Sequence, residues 1–399
     1  MRNDSLTGVR IVECAHFIAG PRCAQLLADH GAEVIKVEPL DGDPSRLAEP
    51  VWKGYSLYFH SHNRRKKSIG VNLKHPDGRR ILRELLESAD GLLTNFTPGA
   101  AERLGLDFAS ASAINPRLVV LQITAFGLGD HDQPEGGFDG TIQGISGIAD
   151  LIGSADGPPT VTSIPLIDHM TAVDGAYGFM LGLRRRELTG EAQSVDVSMY
   201  DVAASVLAWA YADVLVRGSR PHRDGSRAPY AFTTTYATAD GHVYVSPVSP
   251  QMWGQLARIV GHPEWAEEGS EYLQLGARIR DRDILEPQVE EWTRQRTRVE
   301  VIAALNAAGI ACGAVNTIDE AIANPHIERR EMIEWVSAGG SADDRIPVPG
   351  VEIKIEPRGP DTGARGVVPV LGAHTDEVMA GLGYDPDRVA ELRKAGVIR

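Results

Sequence analysis

The segment Val9-Arg10-Ile11-Val12-Glu13-Cys14, followed by Gly31-Ala32-Glu33-Val34-Ile35-Lys36-Val37-Glu38, decides the fold of this chain. Both runs are short and mostly apolar, which is typical of buried strands, so we predict strands at 9–14 and 33–37. Between them, Gly20-Pro21 opens a helix with proline in its first turn, and Gly31 stands where a helix ends. The sequence therefore predicts a βαβ unit at the start of the chain.

The same alternation continues through the first half of the chain. Further strands are predicted at 68–72, 92–94, 118–123 and 195–197, with helices at 79–88, 100–104 and 200–216. Alternating strands and helices indicate an α/β fold, in which helices cover a Rossmann-like parallel sheet.

A chain of 399 residues exceeds the size at which one hydrophobic core keeps growing, so we expect two domains. The polar, turn-rich stretch 218–226 predicts a linker, and Asp240-Gly241 predicts a hairpin between strands at 232–238 and 242–247. Later elements are predicted as helices at 252–260, 284–292, 299–308 and 375–382, with a strand near 351–355. The predicted organisation is a large domain at 1–217, a smaller α/β domain at 225–325 and a C-terminal segment at 330–399.

Composition excludes several classes of function. The net charge of −14 argues against binding to nucleic acid or to an anionic membrane surface. Cys14, Cys23 and Cys312 are too widely spaced for a disulfide framework, and the 12 histidines show no metal-binding spacing. No run approaches the ~20 apolar residues of a membrane span, and the N-terminus does not read as a signal peptide. We expect a soluble cytoplasmic protein without a catalytic metal.

Two charged motifs have competing interpretations. Glu38 ends the second strand where a dinucleotide-binding fold places a ribose-binding acid. The loop at 15–20 lacks the glycine spacing that admits a pyrophosphate, so a solvated strand-end charge is favoured. The four cations Arg64-Arg65-Lys66-Lys67 predict either a solvated loop or a site for phosphate groups.

Asp168 follows Pro165-Leu166-Ile167 and stands at the mouth of a long helix rich in small residues. One interpretation is an N-cap, in which the carboxylate accepts hydrogen bonds from the unpaired backbone N–H groups of the first turn. The other is a nucleophile that the helix dipole keeps ionised and that forms an acyl-enzyme. Local sequence favours the cap.

Taken over almost its whole length, the chain resembles the family III CoA-transferases, a group that includes formyl-CoA transferase and carnitine CoA-transferase, with α-methylacyl-CoA racemase as a close relative. The resemblance depends on the order and spacing of many short motifs. They are Leu6-Thr7-Gly8-Val9, Ala19-Gly20-Pro21, Gly31-Ala32-Glu33-Val34, Asn63 with Lys66-Lys67-Ser68-Ile69, Asn95-Phe96-Thr97-Pro98-Gly99, Asn115-Pro116-Arg117, Gly157-Pro158-Pro159, Thr189-Gly190, Asp240-Gly241 and Leu371-Gly372-Ala373-His374-Thr375.

The resemblance implies an acyl-CoA:carboxylate CoA-transferase that uses Asp168 as the nucleophile, through aspartyl-anhydride and aspartyl-CoA thioester intermediates. It places CoA contacts at Ile18, Ala19, Val71, Asn72, Lys74, Asn95, Phe96 and Arg103, and the substrate pocket at His16 and Phe138. It also implies that CoA enters as a thioester substrate, that no other cofactor is needed, and that a carboxylic acid is the acceptor. The expected assembly is an interlocked homodimer whose large domain combines the N-terminal half with the tail.

Two departures from the family pattern bear on the substrate. Formyl-CoA transferases have glutamine where Ile18 stands and tyrosine where Phe138 stands, so oxalate or formate chemistry is not favoured. The racemase has its catalytic histidine at the position of Phe138, and phenylalanine cannot transfer a proton. An α-methylacyl-CoA racemase-like enzyme, with His131 or His169 as a substitute base, and a non-catalytic CoA-thioester-binding protein remain the alternatives.

Overall fold

The computed structural model describes residues 5–129, 136–338, 343–355 and 366–399. Its backbone contacts divide the chain into two compact units. The first comprises Met1–Ile148, Val161–Ser219 and Pro325–Arg399, and the second comprises Ala149–Thr160 and Arg220–Asn324.

A six-stranded parallel sheet forms the centre of the first unit, which confirms the predicted parallel α/β fold. Its strands are β1 (Arg10–Cys14), β2 (Glu33–Glu38), β3 (Lys66–Gly70), β4 (Gly91–Thr94), β5 (Val119–Thr124) and β6 (Gln193–Ser198). Their order in the sheet is β3-β2-β1-β4-β5-β6, so the direction of winding reverses between β1 and β4. In such sheets, ligands bind beyond the carboxyl ends of the strands at this switch point.

Helices cover the sheet. They are α1 (Ala19–Asp29), α2 (Leu57–His62), α3 (Pro76–Glu87), α4 (Pro98–Leu104), α5 (Phe108–Ile114), α6 (Asp139–Ser146), α7 (Leu166–Thr189), α8 (Met199–Val206) and α9 (Ala208–Ala212). Helix α7 packs close to the sheet because it is rich in glycine. A Cβ on Gly182 would come within 2.7 Å of Val119 Cγ1, so any larger residue there would push the helix away from β5.

The prediction of one continuous helix at 200–216 is wrong. Helix α8 ends at Val206, α9 follows at Ala208, and a single π-type turn spans Asp213–Arg217. The axis bends by 68° at this break. No single helix of the described residues is long and apolar enough to cross a membrane. The two halves of this bent pair meet the same length and composition criteria only when they are counted together.

The second unit contains the predicted hairpin, β7 (Thr234–Thr238) and β8 (Gly241–Ser246), paired antiparallel around Asp240-Gly241. Strand β9 (Ala311–Ala314) completes a three-stranded sheet. The helices are α10 (Pro250–Ile259), α11 (Leu275–Arg280), α12 (Arg282–Arg294), α13 (Arg298–Ala307) and α14 (Ile318–Ile322). Trp253 is fully buried in the core of this unit.

The C-terminal segment adds α15 (Pro325–Arg329), β10 (Ile333–Ser337), β11 (Arg345–Pro349), α16 (Thr375–Gly381) and α17 (Pro386–Lys394). It packs against the β3 edge of the large sheet, where Arg399 N–H donates to Gly70 O at 3.0 Å. The strand predicted near 351–355 is wrong, and the antiparallel pair β10 and β11 was not predicted. Apolar alternation marks a strand only where a neighbouring backbone pairs with it, and residues 351–355 form no strand in the structure as described.

Candidate active site

A cavity of about 570 Å³ opens at the carboxyl ends of the parallel strands of the first unit. Its walls come from the segments that follow β1, β4, β5 and β6, which is the position expected for a ligand at the switch point of the sheet. Seven residues expected at the site line it, namely His16, Ile18, Ala19, Asn95, Phe96, Phe138 and Asp168. Sequence reasoning missed the other eleven lining residues, namely Phe17, Tyr58, Thr97, Ala100, Ile123, Thr124, Ala125, Gly136, Gly137, Thr141 and Met199.

Asp168 lies inside the first turn of α7, as the third residue of the helix. Pro165 occupies the N-cap position, and its side chain makes no capping hydrogen bond. The interpretation of Asp168 as an N-cap is therefore wrong. Burial, followed by the nearby charge of Asp139, raises the pKa of Asp168 to about 7. Burial therefore opposes the ionisation of this carboxyl that the helix dipole was expected to favour.

Asp139 stabilises the helix end that carries Asp168. The backbone N–H of Asp168 donates to Asp139 Oδ2 at 3.0 Å, so the partner of this unpaired helical N–H comes from α6. Asp139 is itself held by Gln143, whose Nε2 donates to Oδ1 and whose Oε1 accepts from Thr162 N at 2.9 Å. Nothing in the local sequence indicates this role, because the contact joins positions 29 residues apart.

Asn95 fixes the loop that connects β1 to α1. Its Nδ2 donates to His16 O at 2.8 Å, and its Oδ1 accepts from His16 N at 2.9 Å. The side-chain amide thus holds this loop, and the CoA contact expected of Asn95 stays a prediction. In this loop Phe17 adopts φ 64°, a left-handed conformation that non-glycine residues rarely take.

A buried ion network contacts the same loop, between β1 and α1, at Ala15. Lys36 Nζ donates to Ala15 O at 2.7 Å and pairs with Glu13 at 2.8 Å and Asp43 at 2.9 Å. Lys66 Nζ pairs with the other oxygen of Glu13 at 2.7 Å. All four charged side chains are fully buried.

Neither a solvated loop nor a phosphate site describes Arg64, Lys66 and Lys67, because all three form ion pairs within the protein. Arg64 is fully buried in an ion pair with Asp29, and Lys66 belongs to the buried network. Lys67 pairs with Glu33 and Glu377 at 2.6 and 2.8 Å. Glu38, expected to be solvated, is also buried, where it accepts from Arg46 and Ser68. These charges stabilise the packing of β3 and its surroundings.

A second cavity, of about 390 Å³, shares Phe96 with the first. It brings together three other residues expected to contact CoA, namely Val71, Asn72 and Lys74. Arg103 lies on the exposed side of the last turn of α4 and lines neither cavity. The structure thus divides the expected CoA contacts between two adjoining cavities and leaves one outside both.

The other titratable groups of the main cavity are held neutral. Burial lowers the pKa of His16, and its Nε2 has no hydrogen-bond partner in the described chain. Burial, followed by the charge of Asp168, raises the pKa of Tyr58 to about 12, so its phenol keeps a proton to donate. Outside the cavity lining, burial also lowers the pKa of His169. The described residues contain no cluster of three or more potential metal ligands.

Comparison with known proteins gives one family over most of the chain. The model of CoA-transferase family III matches residues 6–375. A succinyl-CoA:mesaconate CoA-transferase from Haloarcula marismortui is 33% identical, over 96% of this chain and 97% of that protein. A succinyl-CoA–L-malate CoA-transferase beta subunit from Chloroflexus aurantiacus is 32% identical, over 98% of both. The crystal structure of a CAIB/BAIF family protein from Brucella suis superposes with a TM-score of 0.81 at 31% identity, covering 95% of this chain and 99% of that chain.

Proposed function

The chain belongs to CoA-transferase family III, and we propose that it is an acyl-CoA:carboxylate CoA-transferase in which Asp168 is the covalent nucleophile. The observation that carries the proposal is the placement of Asp168, a carboxyl of raised pKa, in a cavity at the switch point of the sheet. Both curated relatives transfer CoA from succinyl-CoA, as their names state. A thioester donor and a carboxylate acceptor are therefore the substrate classes of the proposed reaction.

In the proposed reaction, an oxygen of ionised Asp168 attacks the thioester carbonyl, the carbon–sulfur bond breaks, and CoA leaves as a thiolate. The product is a mixed anhydride of the acyl group and Asp168. The thiolate then attacks the aspartyl carbonyl, which releases the donor acid as a carboxylate and leaves an aspartyl-CoA thioester. The acceptor carboxylate displaces the thiolate to form a second anhydride, and CoA takes the new acyl group. Asp168 is regenerated as a carboxylate.

The surroundings of Asp168 suit this chemistry. A carboxyl of raised pKa is more basic once it ionises, and a more basic oxygen is a better nucleophile. The first N–H groups of α1, at Ile18 and Ala19, border the same cavity and have no partner within the helix, so they can stabilise an oxyanion. The protonated phenol of Tyr58 offers a further donor.

Trapping the covalent enzyme tests the proposal. Incubation with an acyl-CoA followed by borohydride or hydroxylamine should modify Asp168, as located by peptide mass spectrometry. Labelled free CoA should also exchange into the acyl-CoA pool. Tight CoA binding with neither label nor exchange would instead identify a non-catalytic CoA-thioester-binding protein.

The second candidate function is α-proton exchange on an acyl-CoA, and the position of His16 favours it. The ring lies in the cavity with Asp168, is neutral, and has an unpartnered Nε2. A neutral histidine can accept a proton. By contrast, His169 does not line the cavity, and His131 lies outside the described residues. Incubation of a 2-methylacyl-CoA in deuterated water, followed by NMR, decides: Asp168-dependent α-exchange faster than CoA transfer would favour this candidate.

We propose that a second copy of the chain covers the exposed face of α7, giving the homodimer that the family resemblance implies. Along this 24-residue helix, the exposed apolar residues recur at helical spacing. They are Leu166, Met170, Val173, Tyr177, Met180, Leu181 and Leu188. Such a stripe on a soluble protein marks an interaction surface.

Light scattering should give twice the chain mass of 43.1 kDa at every practical dilution, because an interlocked pair separates only with local unfolding. The variant Tyr177→Lys, which places a charge in the stripe, should expose monomer or lower the yield of folded dimer. A wild-type protein that dissociates readily on dilution would contradict the interlocked assembly.

A further inference from the structure

The second cavity, of about 390 Å³, lies beyond the carboxyl ends of β2 and β3 and combines apolar walls with a charged rim. Its apolar walls come from six residues, Val37, Leu40, Val71, Leu73, Phe96 and Leu104. Asp41 and Lys74 belong to the same lining and are exposed. Such a cavity suits a ligand with an apolar ring and a charged group attached to it.

The segment 396–399 borders this cavity. Ile398 forms a β-bridge with Val71, which is one of the lining residues. The backbone N–H of Arg399 donates to Gly70 O at 3.0 Å, and Ile398 is buried in the core of the first unit. The backbone that carries Arg399 is therefore anchored at the end of β3.

The side chain of Arg399 contacts the rim of the cavity. Its Nη1 donates to Leu40 O at 2.9 Å, and Leu40 lines the cavity together with Asp41. The carboxylate of Glu38, also in the lining, is paired with Arg46. The guanidinium of Arg399 thus lies next to the loop of Asp41 and offsets the negative charge there. Since a guanidinium has five N–H donors, one bond to a carbonyl leaves donors for the oxygens of a ligand.

From these contacts we infer that Arg399 binds a phosphate group of CoA at the rim of the second cavity, together with Lys74. The inference rests on the proposed function, whose donor is a CoA thioester, and adds a residue that the family resemblance does not indicate. Arginine matches phosphate through its fork of N–H donors, and lysine supplies a second positive charge. Because Arg399 is already held at its backbone and at Nη1, little side-chain freedom is lost when phosphate binds.

Removing the charge at position 399 tests this contact. In Arg399→Gln, we expect KM for an acyl-CoA donor and Kd for CoA, measured by calorimetry, to rise about tenfold. The value of kcat should stay unchanged, because a phosphate contact outside the cavity of Asp168 binds the ground state and the transition state equally. Arg393→Gln is the matched control and should change neither constant, since Arg393 is an exposed arginine of α17 that pairs with Asp376.

Shortened donors identify the group that Arg399 contacts. An acyl-pantetheine lacks every phosphate group of CoA, so Arg399→Gln should leave its kcat/KM unchanged. A 3′-dephospho acyl-CoA keeps the diphosphate. Loss of the Arg399 effect with this donor would assign the contact to the 3′-phosphate, and a persisting effect would assign it to the diphosphate.

The outcomes separate this inference from the proposed function. Equal losses with acyl-CoA and acyl-pantetheine, or no loss with acyl-CoA, would overturn the phosphate contact, and labelling of Asp168 would still support the transferase. Weaker CoA binding by Arg399→Gln, in a protein without any Asp168-dependent exchange, would support the contact and overturn the proposed function.

Discussion

Replacing Asp168 with Asn should abolish CoA transfer and at the same time make the protein more stable above pH 7. The amide has nearly the same shape but cannot form an anhydride, so we expect kcat to fall by about 10⁴-fold or more. The gain in stability follows from the raised pKa of the native carboxyl. An ionised Asp168 destabilises the fold, so its presence is better explained by a catalytic role than by a structural one.

The direction of the pH effect follows from proton linkage. The pKa of Asp168 is about 7 in the folded protein and near its ordinary value of 3.8 in the unfolded chain, so the folded state binds the proton more tightly. Its contribution to stability is fully present below about pH 4 and is lost as the pH rises through 7. At pH 8, Asp168→Asn should therefore be more stable than the wild type by about 4 kcal/mol, and the difference should fall below about 1 kcal/mol near pH 4.

Chemical denaturation at several pH values measures this difference. Asp174→Asn is a matched control, because Asp174 is an exposed residue of the same helix. An Asp168→Asn variant that is no more stable than the wild type at pH 8 would contradict the burial argument. In the wild type, the rate of acylation should rise with pH to a plateau, with a midpoint near 7. Asp139→Asn keeps an acceptor for the Asp168 N–H but removes the neighbouring charge, so it should lower that midpoint.

The parallel sheet could be predicted because its strands are buried on both faces and read as continuous apolar runs. All six residues of β5, Val119–Thr124, are buried. The break at Leu207 could not be predicted, because the residues around it continue the helical pattern without proline or glycine. Residues 351–355 show the opposite error, in which a strand-like pattern forms no strand.

Several features of the candidate site could not be predicted from the sequence for a different reason. Glu13 and Lys36 read as the polar positions of two strands, yet both are fully buried. Their environment depends on Asp43 and Lys66, which come from a loop and from another strand. Asn95 and Asp139 act mainly on the backbone of distant residues. Spacing within a segment cannot identify partners that only the folded topology brings together.

The largest loss of stability is expected for Lys36→Met. Methionine fills a similar volume but leaves Asp43 without its cation, and Glu13 with Lys66 alone. Although burial opposes it, Lys36 together with Ser45 lowers the pKa of Asp43 to about 2. This contribution of Asp43 to stability is present above the ordinary aspartate pKa of 3.8 and is lost as the pH falls towards 2. At pH 7, breaking a buried pair on one side should reduce the free energy of unfolding by about 3–5 kcal/mol.

Lys67→Met provides the comparison, because Lys67 belongs to β3 but lies near the surface, with 31% of its side chain exposed. Its pairs with Glu33 and Glu377 are partly solvated, so the same substitution should change the free energy of unfolding by about 1 kcal/mol or less. Adding Asp43→Asn to Lys36→Met should recover about 1–3 kcal/mol, since the uncompensated carboxylate is then removed. Equal losses for the two lysines, or no recovery in the double variant, would show that the buried network does not hold the loop at 15–17. A loss specific to Lys36 should also reduce the rate of CoA transfer, because this ammonium binds Ala15 O, directly before the cavity-lining residues His16 and Phe17.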